Sequence, residues 1–403
     1  MRLVDMDGKV NGEIRAMLKE VKKFASNMAR PAGIELDALP GPEDVFAPGS
    51  PLWEVFRAYR KLDLHLPGIS EELGGMGEVD PEASLLLAER LGHADAGLAL
   101  GLAASDAPFQ IASMAPTKEL NKLVKEYCED YDCTMIGCVP VDTGPGKVLC
   151  DNGGKADNQN TLTAVSGKSG YVVSGEIKKA MNANMATHAL CDVVVRTKTQ
   201  PDQPALAVVP LDLPGVTRKG PWARTGQRSL NQGGLAFREV NLPRGYVIRM
   251  DQAAFNKVKH LAFLGELQYI SSVFAGVALG AVEEALKYSR GRIQGGVPIF
   301  EHANIRMQLF NMLKVVEATR ANNRRLAGHF ATANGNPSTL HAVMAKSLAT
   351  ETASRVASEA IQIFGGYGLT KEFPIEKMFR DSRVAMIEHG ANEDLALAAI
   401  PAN

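Results

Sequence analysis

Gln362-Ile-Phe-Gly-Gly-Tyr-Gly368, continuing from Leu369 to Arg380-Asp381, is the stretch on which the reading of this chain turns. It closes a long helical segment, residues 338–364, and its paired glycines at 365 and 366 read as a tight turn between two helices. Working outward, residues 254–290, 302–334 and a final stretch past Asn392 are also helical, so residues 249–403 form a C-terminal helical bundle. Upstream the texture changes. Thr161-Leu-Thr-Ala-Val165, a turn at Lys168-Ser-Gly170 and Tyr171-Val-Val-Ser174 read as a hairpin. Cys191-Asp-Val-Val-Val-Arg-Thr197, Ala205-Leu-Ala-Val-Val-Pro-Leu211 and Gly234-Leu-Ala-Phe-Arg-Glu-Val240 add strands with no helical pattern between them, which predicts an antiparallel β domain over residues 134–248. Residues 1–133 read as an N-terminal helical domain. Ile14, Met17, Leu18, Val21 and Phe24 form one stripe in 12–28, a Pro/Gly-rich stretch follows from Pro31 to Pro51, and 81–91 and 95–104 are further helices. The fold class is α+β, ordered helices, β domain, helical bundle.

Composition narrows the function. With 44 Lys and Arg against 45 Asp and Glu, the chain lacks the cationic excess that nucleic acid or anionic membranes select, and a small, locally bound ligand fits better. No stretch reads as a membrane span, and Met1-Arg-Leu-Val-Asp-Met-Asp7 has no signal-peptide character, so a cytoplasmic location is expected. Cys128, Cys133, Cys138, Cys150 and Cys191 are odd in number and sparse, as reduced thiols are, and their spacing matches no metal-ligand pattern.

Five segments, in order along the chain, resemble the acyl-CoA dehydrogenase family. Leu66-Pro-Gly-Ile-Ser-Glu-Glu-Leu-Gly-Gly-Met-Gly77 is similar to its G-I-x-x-P-E-x-x-G-G-x-G loop, and Glu89-Arg-Leu-Gly-His-Ala-Asp-Ala-Gly97 to its following helix. Gly226-Gln-Arg228 with Phe237-Arg-Glu-Val-Asn-Leu-Pro243, Arg292-Ile-Gln-Gly-Gly296, and Gln362 to Asp381 complete the set. The resemblance implies a homotetramer or homodimer with FAD bound between subunits, an acyl-CoA substrate laid against the flavin, and an electron-transferring flavoprotein as electron acceptor. It also implies the reaction, α,β-desaturation, in which a carboxylate takes the α-proton while hydride leaves the β-carbon for the flavin. A thioester α-proton is too weakly acidic for a carboxylate in water, so the site must stabilise the enolate and raise the base's proton affinity.

The usual base stands nine residues after the Arg of the Arg-Asp pair, and counting from Arg380 that place holds His389, with Glu388 one position earlier. Isovaleryl- and long-chain-specific members carry the base on the first long bundle helix instead, 26 residues before the Arg of Arg-x-x-x-Gly. From Arg292 that count lands on Glu266, the only charge in Leu261-Ala-Phe-Leu-Gly-Glu-Leu-Gln-Tyr-Ile270, where burial is expected to raise its pKa. The plainer alternative is a buried Glu paired with Lys259, His260, an Arg or His389, and His389 is itself a candidate base.

Other departures touch the flavin. The family's Trp-x-Thr is Lys179-Ala180-Met181, its Thr-Glu-Pro loop is Pro140-Val-Asp-Thr-Gly-Pro-Gly146, and Ala391, Gly295, Ala303, Leu264 and Leu267 replace further polar or aromatic residues. At the far end of the cofactor, the resemblance implies that Arg292 pairs with the pyrophosphate and that Gln362, Gly365 and Gly366 approach the ADP moiety. Ala99 stands where glutaryl-specific members carry an Arg, which points to an apolar acyl group, and the resemblance of the Glu266 placement to members handling branched or long chains implies a branched, cyclic or aromatic one. Two other roles stay open on the same scaffold: a non-oxidative acyl-CoA enzyme, and a non-catalytic partner subunit in a heteromer.

Overall fold

The computed structural model describes residues 12–78, 80–115, 117–141, 162–199, 201–332 and 337–400, with only the backbone of Glu13. Cys150, Thr161 and positions 142–146 of the loop beginning at Pro140 lie outside the described residues.

Six helices come first: α1 (Gly12–Phe24), α2 (Arg30–Ala38), α3 (Pro51–Lys61), α4 (Pro81–Ala94), α5 (Ala96–Ser113) and α6 (Lys118–Cys128). A π-helical turn, Ala25–Ala29, carries α1 directly into α2, so the stretch read as loop from Pro31 starts as helix. Pro31, which has no N–H to donate, follows directly on this π-turn, where the regular i→i−4 ladder is already interrupted. Capping sets α4 and α5. Asp80 accepts from the Ala83 N–H at 3.0 Å and Asp95 from the Leu98 N–H at 2.8 Å. Helix α5 is apolar nearly all round and buried, and it runs well past Ala104, through Pro108.

The sheet contains β1 (Gly137–Pro140), β2 (Leu162–Ser166), β3 (Gly170–Met181), β4 (His188–Arg196), β5 (Gln203–Pro210), β6 (Val216–Lys219), β7 (Gln232–Pro243) and β8 (Val247–Arg249). Its order is β6-β7-β3-β1-β4-β5-β8, with β2 sharing the slot that β1 occupies between β3 and β4. The expectation of an antiparallel sheet needs one correction: β1 and β2 each pair parallel with β4, although both are antiparallel to β3. The reason is geometric. Strands β3 and β4 run in opposite directions, so any strand inserted between them is parallel to one. Along β4 the alternation is clean, with Ala189, Cys191, Val193 and Val195 facing the core.

The bundle follows: α7 (Gln252–Gly291), a short hairpin of β9 (Ile293–Gln294) and β10 (Val297–Pro298), α8 (Ala303–Thr332), α9 (Thr339–Phe364), α10 (Ile375–Ala385) and α11 (Asn392–Ala399). Helix α7 is the axis, packed against α4, α8 and α9. It is long and apolar enough to cross a membrane, with a mean hydropathy of 1.4 in its most apolar window, contrary to the expectation that no stretch qualifies. Two thirds of that window (67%) is buried inside the bundle, which accounts for the composition. Where α4 crosses α7 the backbones touch: a Cβ on Gly92 would stand 2.0 Å from the Val273 carbonyl oxygen, and one on Gly276 2.0 Å from that of Glu89.

The Arg380-Asp381 pair joins these layers. Arg380 forks onto the Asp37 carboxylate of α2 at 3.0 and 2.6 Å and donates to the Thr225 carbonyl at 2.7 Å. Asp381 accepts from the Gln227 N–H and pairs with the buried Lys377 at 2.6 Å.

Candidate active site

Glu266 lies in the first half of α7, and the packing of its neighbours decides where it points. Phe263, Leu264 and Leu267 are buried against Ala342 and Val343 of α9 and Leu395 of α11. Gly265 and Glu266 stand at the edge of that packed stripe and are exposed. The side chain of Glu266 is therefore 48% exposed, not the enclosed carboxylate expected from the apolar run around it. Leu264 and Leu267, which interrupt the family pattern, are the anchors that turn Glu266 outward.

His389 meets it. The backbone turns after α10, and His389 (φ 54°) and Gly390 (φ 96°) both take left-handed conformations, closed by a hydrogen bond from the Asn392 N–H to the Met386 carbonyl at 3.0 Å. A Cβ on Gly390 would stand 2.9 Å from Leu395, so the second of these positions requires glycine on two counts. This turn places His389 Nδ1 3.4 Å from Glu266 Oε2, with the imidazole only 4% exposed and its Nε2 without a hydrogen-bond partner. The other two candidate partners of Glu266 are engaged elsewhere: Lys259 with Asp192 at 3.1 Å, and His260 with Thr339 Oγ1 at 3.2 Å.

The electrostatics follow from this contact. Burial pushes the Glu266 carboxyl up, but pairing with His389, supported by Lys259, outweighs it and holds the pKa below the ordinary value, which reverses the expected rise. Burial pushes the His389 imidazole down, but Glu266 and then Glu388 outweigh that and the net shift is upward, against opposition from Lys346.

Glu388, one residue before His389, points elsewhere. It forms an ion pair with Arg224 at 2.5 Å and accepts from Gln232 Nε2 at 2.9 Å, largely buried. A carboxylate so held is a structural bond between the bundle and the β domain. Arg224, Gln232 and Lys346 are parts of the site that sequence reasoning missed. Lys346 carried a readable signal, since it interrupts the apolar Ala342-Val-Met-Ala345 run as Glu266 interrupts its own.

The remaining candidates gather in a second place. Arg292, Gln362, Gly365 and Gly366, with His302 and Tyr367, line a cleft of about 920 Å³ where α9 ends and the β9–β10 hairpin begins. Gly365 has φ 61°, and neither it nor Gly366 has any atom within 4 Å of where a Cβ would stand.

Both ends of the chain match domain models of one family: the acyl-CoA dehydrogenase N-terminal domain at residues 11–122 and the acyl-CoA dehydrogenase C-terminal domain at 267–398. The chain belongs to the acyl-CoA dehydrogenase family. A probable acyl-CoA dehydrogenase of Bacillus subtilis is 26% identical over 387 residues, covering 95% of this chain and 97% of the relative. Cyclohexane-1-carbonyl-CoA dehydrogenase of Geobacter metallireducens is 30% identical over 232 residues, covering 57% and 60%. Butyryl-CoA dehydrogenase of Megasphaera elsdenii superposes with a TM-score of 0.80 at 22% identity, covering 98% of each chain, which is a likeness of fold.

Membership places this acyl-CoA dehydrogenase among the FAD-dependent oxidoreductases that act on CoA thioesters. The second cleft fits the cofactor's phosphate-bearing end: a guanidinium, an amide and an imidazole converge beside a glycine pair that leaves room for close backbone approach. The segment that the resemblance sets beside the flavin ring departs from the family pattern. Lys179 is exposed, and Ala180 and Met181 are buried and apolar, so the hydroxyl that the family's Thr provides has no counterpart on these three residues.

Proposed function

We propose that this acyl-CoA dehydrogenase desaturates a branched, cyclic or aromatic acyl-CoA at Cα–Cβ, with Glu266 as the base. One observation carries the reading: among the two carboxylates near the expected position, Glu388 is fixed by Arg224 and Gln232, whereas Glu266 is half exposed beside His389. FAD supplies the two-electron acceptor for the hydride that leaves the β-carbon. Glu266 takes the α-proton, the Cα–H pair becomes the new C=C bond, and the proton rests on the carboxyl. His389 holds the carboxylate in place, and when neutral it leaves Glu266 a stronger base than when protonated.

The substrate class has two supports. Ala99 is buried on α5 with its carbonyl accepting from Tyr269 OH at 2.8 Å, one turn of α7 beyond Glu266, so no cation stands there for a distal carboxylate. The Geobacter relative named for cyclohexane-1-carbonyl-CoA is 30% identical over more than half the chain.

A shared cofactor site supports a homodimer or homotetramer. Glu266 and Arg292 are separated by 26 residues, almost all within α7, or roughly 39 Å along a helix. That is farther than one dinucleotide reaches, so the FAD beside one chain's Glu266 takes its Arg292 contact from a second copy. An electron-transferring flavoprotein is the acceptor consistent with this chemistry. The four described cysteines are all free and buried, in keeping with a cytoplasmic location.

A second reading rests on the altered ring wall at Lys179, Ala180 and Met181: a subunit that keeps the fold in a heteromer, or catalyses a non-oxidative step. The visible spectrum separates them. Bound flavin that bleaches with acyl-CoA supports desaturation; colourless protein with a homologous subunit, or flavin that no acyl-CoA reduces, overturns it. Glu266→Gln is expected to keep flavin and lower turnover at least ~10²-fold, and unchanged turnover removes Glu266 as the base.

A further inference from the structure

We propose that Lys346 is a positioning residue: its ammonium group, inside the bundle, pins the turn after α10 and thereby holds His389 against Glu266. The side chain comes from the third turn of α9 and is fully buried. Its Nζ donates to the Gly390 carbonyl at 2.9 Å and to Asn392 Oδ1 at 2.8 Å, the residues on either side of Ala391. Asn392 is held in turn, its Nδ2 donating to Thr350 Oγ1 at 3.0 Å and to Glu351 at 3.2 Å. Two of the three ammonium protons are thus spent on the far side of a two-residue left-handed turn, and the near side of that turn is His389.

An ammonium group without solvent is expensive, and an apolar residue of similar length would fill the same space at lower cost. What the lysine adds is direction. The Gly390 carbonyl faces inward only while His389 and Gly390 keep their positive φ values, so the hydrogen bond at 2.9 Å holds the backbone conformation that aims the imidazole at α7. The charged groups around it are Glu388 and His389 on the turn, Glu393 on α11 and Glu351 on α9. Burial lowers the Lys346 pKa to about 8, those three carboxylates opposing the fall. The clamp therefore weakens on the alkaline side, where the neutral amine has one donor fewer.

The catalytic meaning rests on Glu266 being the base; the geometry of the clamp does not, and the test needs no substrate. In FAD-loaded protein, deuterium uptake at the amides of residues 386–392 and the pH dependence of exchange at the His389 imidazole C2 position are compared for wild type, Lys346→Met and Asn392→Ala. The second variant releases the clamp from the turn side and carries the test if Lys346→Met does not fold. Both are expected to exchange at least ~10-fold faster in the turn, and in both the His389 pKa falls back toward 6.5 as the contact with Glu266 opens. In a Glu266→Gln background, Lys346→Met is expected to leave the His389 pKa where that substitution alone has put it. Unchanged turn exchange overturns the proposal, and so does a rise in the His389 pKa. The rise is what losing the ammonium charge produces when the turn stays in place. Activity surviving in Glu266→Gln overturns the assignment of the base and leaves these outcomes untouched.

Discussion

Replacing His389 with Asn removes the imidazole 3.4 Å from the Glu266 carboxylate. Two unit charges at that distance attract by ~5 kcal/mol at an effective dielectric of 20 and by ~1 kcal/mol in bulk water. Glu266 is 48% exposed, so solvent screens much of the interaction and about 1–3 kcal/mol is the working range. In wild type, acid pH keeps His389 protonated and Glu266 a weak base. As pH rises through the raised imidazole pKa, the imidazolium is lost, the carboxylate gains proton affinity and proton abstraction accelerates. The His389→Asn variant lacks that limb; its activity follows the single ionisation of Glu266, moved up from its lowered wild-type value. The assay is anaerobic stopped-flow bleaching of the flavin by an acyl-CoA, repeated across pH. A variant with the wild-type profile refutes the coupling, because the limb then belongs to another group.

The same pair makes stability depend on pH. The Glu266 part, a depressed carboxyl, is present above 4.5 and lost as pH falls through its lowered folded value; the His389 part, a raised imidazole, is complete below 6.5 and lost as pH rises through its raised folded value. Both parts are present together between 4.5 and 6.5, so His389→Asn lowers Tm most in that window. Glu388→Gln leaves Arg224 buried without its carboxylate, and a loss of roughly 3–5 kcal/mol is expected in urea unfolding; a loss below ~1 kcal/mol means that solvent reaches the pair. Arg292→Ala removes the guanidinium from the second cleft and is expected to weaken FAD binding at least ~10-fold, read by flavin fluorescence on dissociation. An unaltered Kd excludes Arg292 from the dinucleotide site.

Much of this protein was legible along the chain because the signals are local. Apolar spacing marks α7, α8 and α9 within a residue or two of their ends, and the Gly365 left-handed stop follows from glycine alone. The family motifs were legible for the same reason, being short and ordered. The facing of Glu266 was not: it stands three residues after Phe263 and four before Ile270, both buried, so helical spacing alone does not turn it outward.

Tertiary structure alone decided what each polar group does. Arg380 and Asp381 mark the family, yet their work, binding α10 to Asp37 of α2 and to the Thr225–Gln227 backbone, depends on partners more than 150 residues away. Glu388 and His389 are chain neighbours that a left-handed turn sends to different partners, one to Arg224 and the other to Glu266. The parallel pairings of β1 and β2 arise from insertion between two existing strands, which no strand shows in its own alternation. Helix and strand formation depend on residues within a turn or two of one another, and sequence order preserves those neighbours. A proton affinity depends on whichever charges the fold brings within a few ångströms, and for Glu266 that is an imidazole more than a hundred residues downstream.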